Sequence, residues 1–534
     1  MKIYLYIITA GLLVAVGSAA ANEKQNELPI QETFPATVPL DPMAVRSEPP
    51  TPLSVDRWDA FKEGVNIHDL GMLQEIEVIE ADERAAKHFA DVFPVPPRVG
   101  LARSIEWGPL SITRGDALLM DTDDGRNVWT FSVRSPEAYG VRVHFTGFDV
   151  GDGSVVVYAY DDNGAVIRGP YTERGPDGDG DFWTATLPGD EVFVEAIGAD
   201  EPHFEIAEVI HFDQDLYGVE QGTRDGPPLL DCHLDVNCHM NEVAASAKNA
   251  TGQMNFLCDG TSCHVCTGTL LNDNDSETTA PYFLTARHCL NTQAEVDTLE
   301  VVWQYETDSC NGVLPNYSTL PRNVGGVHLK SESENDMELI WLGGSLPGGV
   351  SLAGWSTDTA SGQYGVHHPK GSWKRVVFLS HPSVECPTFD PWDYDSYDMI
   401  DGLTQGGSSG SGVFNSSGQL TGQLWGICSV TTDPDNLSCS NIDDFWAVYG
   451  QFETTYDEIS WYLGIGGTLW VDGSYTGIYQ FGTQANPFDA IQTALDIAWD
   501  GMRIKIKTGS YPDPITINQE VKLVAWDGTV TLGG

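Results

Sequence analysis

Ten cysteines, Cys232, Cys238, Cys258, Cys263, Cys266, Cys289, Cys310, Cys386, Cys428 and Cys439, fall in one stretch of a 534-residue chain. An even number in an exported chain favours disulfides, so this stretch must fold as one stapled module and its flanks without staples. The first 21 residues supply the export signal. Lys2, an apolar run over residues 3–16 and Ser18-Ala19-Ala20-Ala21 match a signal peptide cleaved before Asn22. The run is too short to span a bilayer comfortably, and no later stretch approaches 18 uninterrupted apolar residues. The mature protein is therefore expected to be secreted, extracellular or periplasmic, with no membrane partner. Cys258, Cys263 and Cys266 with His264 also invite a zinc reading. Their spacings are loose for a zinc knuckle and export favours oxidation, so no metal or other cofactor is expected.

Charge narrows the partners. The 27 basic and 77 acidic residues give a formal charge of −50, which repels phosphate backbones and anionic lipid and excludes nucleic acid as a partner. Gly 56 and Pro 30 point to many turns and a mainly β chain.

Pattern divides the chain further. Residues 22–100 form an acidic, Pro-rich linker or pro-segment with one short helix over 80–90. Over 101–213 alternation dominates: Val141, Val143 and Phe145 alternate with Arg142 and His144. Further apolar runs at 155–158, 192–194 and 204–206 are separated by Asp-Gly turns. Seven or eight such strands predict a β-sandwich. The Asp-Gly runs can bind Ca²⁺, but they lack the terminal Glu of a helix–loop–helix site, and plain turns are favoured. Residues 214–226 form a polar connection with a possible processing site at Arg224. The Cys-bearing module covers 227–464. In the C-terminal segment, 465–534, Asn486 and Pro487 predict the start of a helix burying Phe488, Ile491, Ala494, Leu495 and Ala498. Short strands at 504–506, 515–517, 521–524 and 530–532 follow, resembling the opening of a right-handed parallel β-helix.

Three strings in the Cys-bearing module carry the parts of an acyl-transfer site. Phe283-Leu284-Thr285-Ala286-Arg287-His288-Cys289 ends an apolar strand in a His held beside a Cys, a placement suited to a general base. Asp336 opens an alternating strand and is suited to orient an imidazole. Gly406-Gly407-Ser408-Ser409-Gly410-Ser411-Gly412 allows a tight turn that exposes the Ser409 hydroxyl, with the N–H groups of Gly407 and Ser409 converging on an oxyanion. The order His, Asp, Ser is that of chymotrypsin-type enzymes.

Residues 232–464 resemble the lysyl endopeptidase branch of the trypsin-like serine peptidases. The matching stretches are 232–238, 282–289, Asn335-Asp336, Ala353-Gly354-Trp355, Val366-His367-His368-Pro369, 407–411, Gly422-Gln423-Leu424 and Tyr449-Gly450. The resemblance implies two six-stranded β-barrels with the site between them, His288 as base, Asp336 as its orienter and Ser409 as nucleophile. It implies disulfides Cys232–Cys439, Cys238–Cys310 and Cys266–Cys289. The other four can pair as Cys258–Cys263 and Cys386–Cys428, which spacing alone does not prove. It also implies a precursor with a long N-terminal region and protein or peptide substrates; a monomer is expected.

The departures bear on specificity. Lys-cleaving relatives carry an Asp where this chain has Ala447, and the trypsin-type S1 Asp falls at Leu403. Asp401, Asp443 or Asp444 can supply a carboxylate only through a local insertion. Trp425 and Gly426 look like the trypsin-like strand that pairs with the substrate backbone. The residue before the nucleophile is Ser408, which has no charge to pair with a freed N-terminal amine. The expectation is a secreted serine endopeptidase with an uncharged P1 preference. The alternative is a binding or adhesion protein on an inactive scaffold.

Overall fold

Alternation sorts the side chains of the strand Gly140–Asp149 to two faces. Val141, Val143 and Phe145 enter a core shared with Phe131, Val133, Val155, Val157, Val192 and Val194 of a facing six-stranded sheet, and the two sheets form a sandwich. The computed structural model describes residues 33–34, 51–56, 65–73, 75–88, 95–105, 110–111, 117–122, 124–215, 229–274, 279–358, 361–380, 386, 389, 393–429 and 437–533. The signal peptide and Arg224 lie outside the described residues.

The second face of the Gly140–Asp149 strand is not left to water. Arg142 is fully buried; its Nε donates to Thr184 O (2.8 Å) and its Nη1 to Thr298 O (2.6 Å). Beside it the fully buried Glu300 accepts from Thr186 N (2.9 Å) and forms an ion pair with Arg322, whose Nε lies 2.8 Å away. Burial alone would raise the Glu300 pKa, but Arg322 and Arg142 outweigh it and hold the carboxyl below its ordinary value. This seam exists because Arg98–Ser104 pairs with His203–Phe212 on one edge and with Ser262–Leu271 on the other. Sandwich and Cys-bearing module thus share one 13-stranded sheet. Residues before 100 are partly built in as well. Asn66–Asp69 pairs parallel with Asn127–Arg134, and the backbone N–H groups of Leu53 and Ser54 bond the Glu195 carboxylate at 2.9 and 2.7 Å. The helix there spans Glu75–His88 rather than 80–90.

The Cys-bearing module forms two closed six-stranded rings. In the first, Thr251–Cys258, Ser262–Leu271, Tyr282–Ala286 and Met337–Leu342 are joined by Glu300–Val302 and by one strand bent at Gly325, whose legs are Arg322–Val324 and Gly326–Glu332. In the second, Tyr364–His367, Arg375–Ser380, Tyr394–Asp401, Trp446–Gln451, Leu420–Cys428 and Gly412–Phe414 close the ring in that order.

Four disulfides staple these rings: Cys232–Cys439, Cys238–Cys310, Cys266–Cys289 and Cys386–Cys428. The Cys258–Cys263 pairing is overturned. These two residues flank a hairpin in which Cys258 faces Ser262 and Cys263 faces Leu257. Neighbouring residues of a strand point to opposite faces. Cys258 therefore enters the first barrel core, Cys263 enters the seam with Val99 and Ile210, and both are free thiols.

The C-terminal segment follows the helix Phe452–Ile465 and its left-handed cap Gly466. Three parallel strands, Thr468–Val471, Arg503–Tyr511 and Lys522–Leu532, form one sheet. The last of these merges two expected strands, while 515–517 takes no strand. The helix is only Ile491–Leu495, capped at Ala490 rather than Asn486. Phe488 instead bridges to Val471, yet it still reaches the same core as Ile491, Ala494 and Leu495.

Candidate active site

The strand Tyr282–Ala286 pairs with Met337–Leu342 so that Ala286 faces Met337. This register brings the residues just beyond Ala286 beside those just before Met337, that is, His288 beside Asp336. Arg287 N donates to Asp336 O (3.0 Å). The Asp336 carboxylate grips His288 twice, accepting from its backbone N at 2.8 Å and from its Nδ1 at 2.6 Å. A carboxylate only accepts, so Nδ1 carries the proton and neutral His288 keeps a lone pair on Nε2. That Nε2 is buried and has no hydrogen-bond partner among the described residues. Two crosslinks hold the pair. Cys289 is tied to Cys266, and Asn335 donates to Thr455 Oγ1 (2.7 Å) in the helix Phe452–Ile465 while its carbonyl accepts from Gln423 Nε2 (2.8 Å) of the second barrel. Sequence reasoning missed this Asn335 brace, because the three partners are spread over 120 residues.

The Ser409 loop packs directly on these strands. Ser409 O accepts from Thr267 N (2.9 Å), the residue after Cys266, and Gly410 N donates to Leu424 O (2.8 Å). Gly410 has φ +80, and a Cβ there would lie 2.1 Å from Thr285 Oγ1 and 2.7 Å from Ala286 N. Only glycine lets the Ser409 loop approach the segment leading to His288 so closely. Gly406 O accepts from Lys370 N (2.7 Å), and Gly407 O accepts from Thr267 Oγ1 (2.8 Å). The N–H groups of Gly407 and Ser409 find no acceptor among the described residues. Two free donors flanking a serine are what a developing oxyanion requires.

Ser409 and His288 are only 1% and 5% exposed. Part of the surrounding wall comes from outside the two barrels. Pro97 O accepts from Val265 N (3.1 Å), and Pro96 O bonds His264 Nδ1 at 2.7 Å. Pro97 also lies 3.3 Å from where a Gly406 Cβ would sit.

The residues expected around the substrate side chain separate into two groups. Leu403 and Ala447 are fully buried, packed with Tyr397, Met399, Leu424, Ile427 and Phe445 in the second barrel core. Asp401, Asp443 and Asp444 are exposed and do not enter that core; Asp401 Oδ1 accepts from Gly402 N at 3.0 Å. Trp425 sits in a bulge between Leu424 and Gly426, half-buried, with its ring 4.6 Å from that of Phe389.

The sequence model of the family described as "Lysyl endopeptidase, C-terminal domain" matches residues 230–445. A lysyl endopeptidase of Pseudomonas aeruginosa is 29% identical over 399 residues, covering 68% of this chain and 84% of that protein. Among solved structures, an HtrA-type protease with tripeptide aligns at a TM-score of 0.29 and 13% identity, covering 42% of this chain and 64% of that one.

Proposed function

We propose that this chain is a lysyl endopeptidase-like serine endopeptidase of the trypsin-like class, working as follows. Ser409 Oγ attacks the scissile carbonyl carbon while His288 Nε2 takes its proton. The N–H groups of Gly407 and Ser409 hold the oxyanion. Collapse returns the proton from His288 to the leaving amine and leaves an acyl-Ser409 ester, which water cleaves by the same route. Asp336 keeps the proton on Nδ1 throughout. The observation that carries this reading is the double grip of Asp336 on His288. A fluorophosphonate probe should label Ser409, and Ser409→Ala should abolish both labelling and peptidase activity. Undiminished activity in pure Ser409→Ala refutes the assignment. A binding protein on a dead scaffold is not favoured, since base, orienter, serine and free N–H pair are all present.

The enzyme works outside the cytoplasm as a disulfide-bonded monomer made as a zymogen. The contacts of Pro96 and Pro97 support a cover over the cleft by the segment leading into Arg98–Ser104. Cutting within 214–226 would loosen that cover. Labelling should then accelerate after limited proteolysis there, and an unchanged rate counts against the cover.

For P1 we favour a medium-sized uncharged residue. A buried Lys or Arg side chain needs an opposing carboxylate, because an unpaired buried charge costs several kcal/mol. Leu403 and Ala447 offer none, and Asp401, Asp443 and Asp444 face solvent. The name of the Pseudomonas relative points to Lys instead. A peptide-library profile dominated by Lys or Arg would support that reading and reject ours.

A further inference from the structure

Chymotrypsin-type loops of this kind are often locked by a charged pair at the residue before the nucleophile. Here that residue is Ser408, which is uncharged and fully buried. Its hydroxyl meets His367 Nδ1 at 2.7 Å and accepts from Gln405 N (3.2 Å). Ser408 N donates back to Gln405 O (2.9 Å), and Ser411 N donates to Ser408 O (3.1 Å). Ser408 thus closes the turn from both sides. Whether the Ser408 hydroxyl or His367 Nδ1 donates follows the His367 tautomer. His367 is fully buried and belongs to the barrel strand Tyr364–His367, where it pairs with Arg375. Burial, then His233, His368 and Arg375 nearby, push its pKa well down, so it stays neutral.

The same turn aims the oxyanion donors. Gly406 O points at Lys370 N, two residues beyond His368. In a trans peptide the C=O and the following N–H point in opposite directions, so the Gly407 N–H faces away from Lys370. A Gly407 Cβ would lie 2.7 Å from Lys370 N and 3.1 Å from His368 O, so the turn after His367 sits against the loop. Gln405 is held on its other side, where its Oε1 meets His233 Nε2 at 3.2 Å.

We infer that His367 is a positioning residue for the oxyanion hole, locking Ser408 by a neutral hydrogen bond where a charged pair would otherwise be needed. This rests on the reading of Ser409 as nucleophile. It goes beyond that reading by assigning what holds the Gly407 and Ser409 N–H groups in place.

The test compares His367→Ala, Ser408→Ala and His367→Asn in the purified active enzyme, with fluorophosphonate titration counting active molecules and thermal melts checking the fold. Losing an aimed oxyanion donor costs about 10²–10³ in kcat. Both alanine variants should show a loss of that order per active molecule, with KM changed less than about threefold. His367→Asn, which keeps a polar atom near the Nδ1 position, should recover about tenfold or more of the loss. Ser408→Ala removes one oxygen and should fold even if His367→Ala does not. Wild-type kcat per active molecule in folded Ser408→Ala overturns the inference, as does a loss confined to KM or no recovery in His367→Asn. If the wild-type enzyme itself takes no label at Ser409, it is the nucleophile assignment that fails.

Discussion

Gly410→Ala tests whether the close approach of the segments carrying Ser409 and His288 is what the sequence is built to allow. At φ +80 an alanine carries the left-handed penalty of about 1–2 kcal/mol. Its Cβ would start 2.1 Å from Thr285 Oγ1 and 2.4 Å from Thr267 O, whereas real Cβ contacts stay beyond 3.0 Å. The first contact must therefore open by 0.9 Å, the difference between 3.0 and 2.1 Å. Thr285 cannot simply turn away, because its Oγ1 donates to Thr267 O at 2.8 Å. Overpacking of this kind costs about 1–3 kcal/mol, so the total is roughly 2–5 kcal/mol. The larger effect should be on rate. The loop carries Ser409 and the strand carries His288, and a misplacement of about 1 Å can cost roughly 10²-fold. The assay is kcat per folded molecule beside a thermal melt. Gly464→Ala is the control: Gly464 lies in the exposed part of the helix Phe452–Ile465, a Cβ there meets nothing within 4 Å, and the change should stabilise by about 0.5–1 kcal/mol. A Gly410→Ala enzyme with wild-type kcat per folded molecule would refute the spacing argument, even if it melted early.

Stability should fall as pH falls. Burial is the first cause holding His211 down at about 4 and His233 and His368 at about 3, and it also holds His367 well below its ordinary value. Below about pH 6.5 the unfolded chain binds protons that the folded one refuses, so each group withdraws up to about 1.4 kcal/mol per pH unit until its folded pKa is reached. Urea melts between pH 7 and 5 check this, and a flat profile contradicts it. Thiol titration in denaturant should find two free thiols, mapped by alkylation to Cys258 and Cys263, and none reactive in the native protein, since burial pushes Cys263 up to about 12; zero thiols would restore the pairing rejected above. Glu300→Ala should destabilise by about 3–5 kcal/mol, because it strands Arg142 and Arg322 at the seam; a loss under 1 kcal/mol would mean the seam is wetter than its burial implies.

The pieces of the candidate site were legible because each is local. A strand ending in His288-Cys289, an acid opening a strand and a glycine-rich run around Ser409 are short strings whose chemistry is written in adjacent residues. Cysteine placement likewise marked off the stapled module, and alternation at 141–145 marked a sandwich strand. What the sequence did not carry is which surface meets which. The period of two says that Arg142 points away from Val143, but not that the first barrel waits there to bury it. Nothing local to Pro96 and Pro97 announces a partner in Val265 and His264, 168 residues on. The Cys258–Cys263 spacing permitted a bridge, and only the hairpin register, which sends them to opposite faces, forbade it. The same holds at the loop. Sequence showed Ser408 to be uncharged, while the fold supplied His367, 41 residues away, as the group that fixes it. Backbone periodicity and side-chain chemistry are properties of the chain itself, but burial, register and the pairing of distant polar groups exist only once two surfaces have closed on each other.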